Sequence, residues 1–114
     1  MRESPRDIER LQHIAEAIDN TFEFVNGVTF DEYCSNKMMR FAVVKNLENI
    51  GEASYMLSKE FKKLHPEIDW KEIIAMRHLM VHGYYHIQDE EVWIAIENDL
   101  PPLKEQIKRI MDNL

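Results

Sequence analysis

At 114 residues the chain is long enough for one compact domain and too short for two. Hydrophobic residues at 45%, charged residues at 31%, and only three glycines and four prolines exclude disorder and collagen-like repeats. A net charge of −7 argues against a surface that grips phosphates by bulk charge, since neutralising lysines and arginines supply most nonspecific nucleic-acid affinity.

The lone Cys34 cannot close an intrachain disulfide, which points to a reducing compartment. The chain opens Met1-Arg2-Glu3-Ser4-Pro5 without an apolar signal core, and no apolar run is long enough to cross a membrane. A soluble, cytoplasmic protein is expected. A domain this small also gains from a homodimer interface.

Ser4-Pro5-Arg6-Asp7 reads as a helix start, with Ser4 as N-cap, Pro5 at the first helical position and Asp7 closing a capping-box variant. Ile8, Leu11, Ile14, Ile18, Phe22 and Val25 then recur at steps of three or four, an amphipathic face that Gly27 ends. Thr29-Phe30-Asp31-Glu32 is a second capping box, predicted to start a single turn that docks Phe30 and Tyr33.

The next helix is predicted over about Asn36 to Leu64, closed by Pro66, with Val43, Leu47, Ile50, Leu57, Phe61 and Leu64 as its main stripe. Met38, Phe41, Val44, Gly51 and Tyr55 form a second apolar face, suited to another subunit. Gly51 in mid-helix costs roughly 1 kcal/mol against Ala and signals close backbone approach.

Asp69 as N-cap, Glu72 closing the box, and Ile68 with Ile73 as a staple start a third helix that continues to His82, where Gly83 is the cap. The last helix begins at Asp89-Glu90-Glu91, acids suited to a helix N-terminus. Its stripe of Val92, Ile96, Leu100, Leu103, Ile107, Ile110 and Leu114 keeps phase through Pro101-Pro102, which predicts a kink and not a break. The expected fold is all-α: an antiparallel bundle of four main helices plus a short helical turn, in one domain over 1–114.

Arg77-His78-Leu79-Met80-Val81-His82-Gly83-Tyr84-Tyr85 is where chemistry concentrates. Histidine moves protons near neutral pH, and arginine offers a planar, permanently charged fork to phosphate. Arg77 and His82 are about 140° apart on a straight helix, so they converge only if the helix ends near His82 or two copies face each other. The bland alternative pairs Arg77 with Glu48 or Glu52 and makes His82 a C-cap. A sharper one has Glu52 orienting the Arg77 guanidinium.

Other constellations are weaker. His78, His82 and His86 are spaced by four, but no third zinc ligand converges, so no metal or other cofactor is expected. His13 and His65 look like isolated surface residues. Lys37, Arg40 and Lys45 form a small basic cluster, more simply read as a solvated face than as an RNA groove.

The pattern R-x-x-x-x-H-x-Y, here Arg77, His82 and Tyr84, resembles the signature of HepT-type proteins of the HEPN superfamily. Arg40-Phe41-Ala42-Val43, Asn49-Ile50-Gly51-Glu52-Ala53, Ile68-Asp69-Trp70, Val92-Trp93 and Asp99-Leu100-Pro101 resemble that family's order of segments over nearly the whole chain. The resemblance implies a HEPN-like bundle that dimerises and joins two such motifs in one cleft. It implies Arg77 and His82 as a metal-independent ribonuclease pair leaving a 2′,3′-cyclic phosphate, in a toxin acting on RNA. It also implies Tyr84 as the residue to which a cognate MntA-type nucleotidyltransferase antitoxin transfers AMP. His78 departs from the polar residue usual after the arginine, leaving its supporting role open. The competing reading is a non-catalytic dimeric subunit that only docks a nucleotidyltransferase.

Overall fold

In the computed structural model the described residues are 4–82 and 89–114, with 79–82 described by backbone alone. Every regular element among them is helical. Helix α1 runs over Pro5–Val25 from an N-cap at Ser4, whose Oγ accepts from the Asp7 N–H at 3.1 Å. Leu11, Ile14 and Ile18 are fully buried along it, and Gly27 takes a left-handed φ of +73° just past its end.

Asp7 has a different task from the one the sequence pattern predicts. Its carboxylate does not serve the start of its own helix; it is buried and accepts from Ser58 N at 2.9 Å and Ser58 Oγ at 2.7 Å. That contact accounts for a second correction. The helix expected over Asn36 to Leu64 is two: α3 (Lys37–Met56) and α4 (Lys59–Leu64). Leu57 is extended (φ −61°, ψ 145°), and Ser58 caps α4 by accepting from Phe61 N at 3.1 Å. A serine that caps one helix and donates to a buried carboxylate cannot also continue the helix before it. Phe61 and Leu57 still reach the core, but Leu64 does not.

Between α1 and α3, the short α2 (Phe30–Ser35) starts in a full capping box: Glu32 N donates to Thr29 Oγ1, and Thr29 N donates to Glu32 Oε1. Phe30 and Tyr33 stack on Trp93 at 5.7 and 5.3 Å between ring centroids. Tyr33 is fully buried with its hydroxyl unpartnered among the described residues, and burial, reinforced by the Asp89 charge, pushes its pKa up to about 12.

Helix α5 (Trp70–His82) begins where Asp69 Oδ1 accepts from Glu72 N at 3.1 Å, and Ile68 and Ile73 are buried beside it. Trp70 Nε1 donates to the His65 carbonyl at 3.0 Å, closing the turn from α4. Helix α6 (Asp89–Ile94) has its acids in the first turn as expected. A π-helical segment, Ala95–Asp99, then joins it to α7 (Leu100–Asp112) without interruption.

The π-turn explains how the stripe survives the double proline. Leu100 N bonds back to the Ala95 carbonyl, and the widened turn meets Pro101 and Pro102 in the first turn of α7. Neither proline has an N–H to lose there. Val92, Ile96, Leu100, Leu103, Ile107 and Ile110 stay buried, while Leu114 is exposed.

Helix α3 packs against α1 on one side and α5 on the other, and α7 lies on α1. The buried residues form one cluster that draws on all of these helices. Each fully buried Leu or Ile in it contributes about 1.5–3 kcal/mol through removal from water. The supposed second face of α3 is not a single face. Gly51 is buried against α5, whereas Met38, Phe41 and Tyr55 are exposed.

Candidate active site at the crossing of α3 and α5

The site starts from a missing side chain. At Gly51 the two helices approach so closely that an added Cβ would overlap the Arg77 Cβ and lie 2.8 Å from its Cα and N. Only glycine fits there without shifting a backbone. This crossing fixes Arg77 over the next turn of α3. Its Nε donates to Glu52 Oε2 at 2.5 Å, and its guanidinium carbon sits 5.6 Å from the centre of the Tyr55 ring.

The guanidinium is therefore held on two sides, by charge from Glu52 and by the ring face of Tyr55. The Arg77 side chain is 30% exposed and that of Glu52 49%, so the pair borders solvent. With Nε committed to Glu52, the terminal nitrogens are the part of the fork left for a further partner. Glu48, the other carboxylate the sequence offers to Arg77, instead binds Lys45 at 3.3 Å.

His78 is exposed beside Arg77. His82 is the last residue of α5, five positions after Arg77 and about 7.5 Å further along the helix axis. Its side chain, Gly83, Tyr84 and His86 lie outside what is described, so the Gly83 cap, the Tyr84 placement and any convergence of Arg77 with His82 do too.

The basic cluster does not form a free cationic strip. Arg40 Nε binds Asp89 Oδ1 at 3.0 Å and Lys45 is paired as above. His65 is not a plain surface residue either: it stacks on Phe61 at 4.5 Å and approaches Glu67 at 3.5 Å. Among the described residues, no three His, Cys, Asp or Glu side chains gather as metal ligands, and no helix is long and apolar enough to cross a membrane.

Tyr55 joins this constellation although its place in the apolar pattern of α3 suits a subunit contact. The signal for it was present: Gly51 marks the close approach, Glu52 follows it, and Tyr55 lies one turn further on the same side.

The family model described as Ribonuclease HepT-like matches residues 14–110, which include α3, its crossing with α5, and the whole R-x-x-x-x-H-x-Y segment. The chain belongs to the HepT-like ribonuclease family. It is 37% identical over 110 residues to a Thermococcus cleftensis protein named probable ribonuclease HepT, covering 96% of this chain and 98% of that one. It is 33% identical over 106 residues to a Methanocaldococcus jannaschii protein named as a candidate RNase, covering 92% and 97%. A similarly named protein of Caldanaerobacter subterraneus is 35% identical over 101 residues, covering 89% and 90%. No solved structure matches the chain. For a HepT-like chain, the crossing at Gly51 locates the motif arginine relative to the rest of the fold.

Proposed function

We propose that this HepT-like chain is a metal-independent RNA endonuclease, acting as one domain and working as the toxin of a toxin–antitoxin pair in the cytoplasm. The observation that carries the reading is the two-sided hold on Arg77, which keeps a pre-oriented cation at the solvent border in a family named for ribonucleases. An arginine needed only for stability gains little from an exposed carboxylate. One needed to meet a phosphate gains from being held still.

His82 removes the proton of a ribose 2′-hydroxyl. The 2′-oxygen bonds to phosphorus, the bond from phosphorus to the 5′-oxygen breaks, and that oxygen takes a proton from a second acid. The products are a 2′,3′-cyclic phosphate and a 5′-hydroxyl. Arg77 stabilises the charge that builds on the phosphoryl oxygens. One histidine cannot be both base and acid in the same step. A homodimer that brings a second motif beside the first supplies the other, and Met38 on α3 is exposed to such contact. Glu52 positions Arg77, and His78 supports the pair.

Silencing by a cognate MntA-type nucleotidyltransferase follows from Tyr84. AMP on its hydroxyl adds a phosphodiester charge and an adenosine to the motif segment, blocking RNA by charge and volume. The test is expression of the chain alone and with its nucleotidyltransferase. Growth arrest that is lost in His82→Ala and relieved by a mass adduct on Tyr84 supports the reading. Unchanged arrest in His82→Ala removes the catalytic assignment, and an arrest-free wild type that still binds the transferase leaves a docking subunit.

A further inference from the structure

Helices α1 and α3 leave an open groove of about 450 Å³ that the proposed chemistry does not use. Glu52 is common to both places: it holds Arg77 and it also lines this groove, which neither Arg77 nor Tyr55 lines. The volume falls in the range of small-ligand sites.

The lining has a definite chemical character. Ala17 from α1 and Ala53 from α3 are small, buried residues of the lining, so each helix contributes an apolar position to it. The rest of the lining is carboxylates and amides, with Arg10, His13 and Met56 beside them. Glu9 and Glu16 come from α1, and among the described residues neither forms an ion pair. Asn46 and Asn49 come from α3; Asn46 accepts from Asn20 at 3.4 Å, and Asn49 is exposed beside them.

Three carboxylates against Arg10 and His13 make the groove a poor place for a phosphate. They make it a good place for the flat, neutral face and donor-rich edge of a nucleobase. Guanine alone among the RNA bases carries parallel N1–H and N2–H donors on one edge, which match the two oxygens of a carboxylate. Its O6 and N7 acceptors match an asparagine amide or an arginine. Uracil offers one N–H flanked by acceptors, which a carboxylate repels.

We propose that the α1–α3 groove is a guanine-recognition subsite for the RNA strand whose scissile phosphate meets Arg77; it rests on the ribonuclease reading above. One carboxylate of the α1 pair Glu9 and Glu16 reads the donor edge, Asn49 meets the acceptors, and Glu52 joins the subsite to the phosphate position. Single-stranded RNA suits this division, because its bases can be splayed from the backbone and read along their edges.

Two measurements test it and separate it from the reading it rests on. The first titrates the intact protein with guanosine monophosphate and with uridine monophosphate, observing the side-chain amides of Asn46 and Asn49 and the His13 ring by NMR. The two ligands share a phosphate, so their difference reports the base. Guanosine monophosphate is expected to shift these signals with at least about tenfold higher affinity. Glu9→Gln combined with Glu16→Gln should bring it down to the uridine level, and Asn49→Ala is the second variant. Equal shifts from both nucleotides overturn the subsite.

The second measurement maps cleavage of a uridine chain containing one guanosine. Cutting beside the guanosine about tenfold above other positions supports the proposal, and a uniform ladder overturns it. No cleavage of any RNA, with the base-dependent shifts retained, overturns the ribonuclease reading and leaves the subsite standing.

Discussion

Gly51 and Arg77 stand back to back at the crossing of α3 and α5, with no room for a methyl group between them. Helix propensity alone predicts that Gly51→Ala stabilises α3 by roughly 1 kcal/mol. Packing predicts the reverse, because the obstructing atoms are the Arg77 backbone and Cβ, which cannot swing aside. Overpacking of this kind costs about 1–3 kcal/mol. Urea denaturation of Gly51→Ala should show a net loss of stability, and RNA cleavage should fall with it as Arg77 moves off Glu52.

Glu52 separates orientation from stability. The pair it forms with Arg77 borders solvent, so Glu52→Gln should change unfolding free energy by less than about 1 kcal/mol. Its effect on the single-turnover cleavage rate should be about ten- to hundredfold, with little change in RNA affinity. Equal losses in rate and stability would mean that Glu52 supports the fold instead.

Asp7 ties the first turn of α1 to the cap of α4 across 51 residues of sequence. Asp7→Ala leaves the half-buried Ser58 N–H and hydroxyl without their charged acceptor, at a cost of about 1.5–3 kcal/mol. Ser58→Ala should cost a similar amount, and the double variant clearly less than their sum. A double-mutant cycle by urea denaturation checks this, and strict additivity would remove the link.

Tyr33 gives a pH prediction with a definite sign. Its folded pKa of about 12 lies above the ordinary phenol value near 10, so the fold favours the neutral ring. That contribution is complete below about pH 10 and is lost progressively as the pH rises from about 10 to about 12. Tyr33→Phe removes both the titration and an unpartnered buried hydroxyl. The variant should match or exceed the parent by about 1 kcal/mol at pH 8, and by more at pH 10.5. Denaturation at the two pH values measures it.

Much of this fold was legible because local signals agreed with global packing. The Ser4, Thr29 and Asp69 caps, the Gly27 stop and the stripe through Pro101-Pro102 each rest on contacts within a turn or two. The break at Leu57–Ser58 was not legible, since it depends on a carboxylate half the chain away that itself looked like a local cap. Gly51 announced a close approach without naming its neighbour. In the sequence Tyr55 looks like apolar surface, because periodicity reports which face a residue occupies, not that a guanidinium lies over its ring. Arg77 and His82 were legible as chemistry-bearing types; their relation across a helix end is a tertiary matter that spacing leaves open.

Cleavage of RNA by the purified chain in excess EDTA tests the central claim most directly, with product ends read by mass spectrometry and with Arg77→Ala and His82→Ala run alongside. Cleavage that persists in chelator, leaves 2′,3′-cyclic phosphate and 5′-hydroxyl ends, and falls at least about a hundredfold in each variant is the predicted result. Activity abolished by EDTA and restored by a divalent metal, or retained in both variants, would contradict the account.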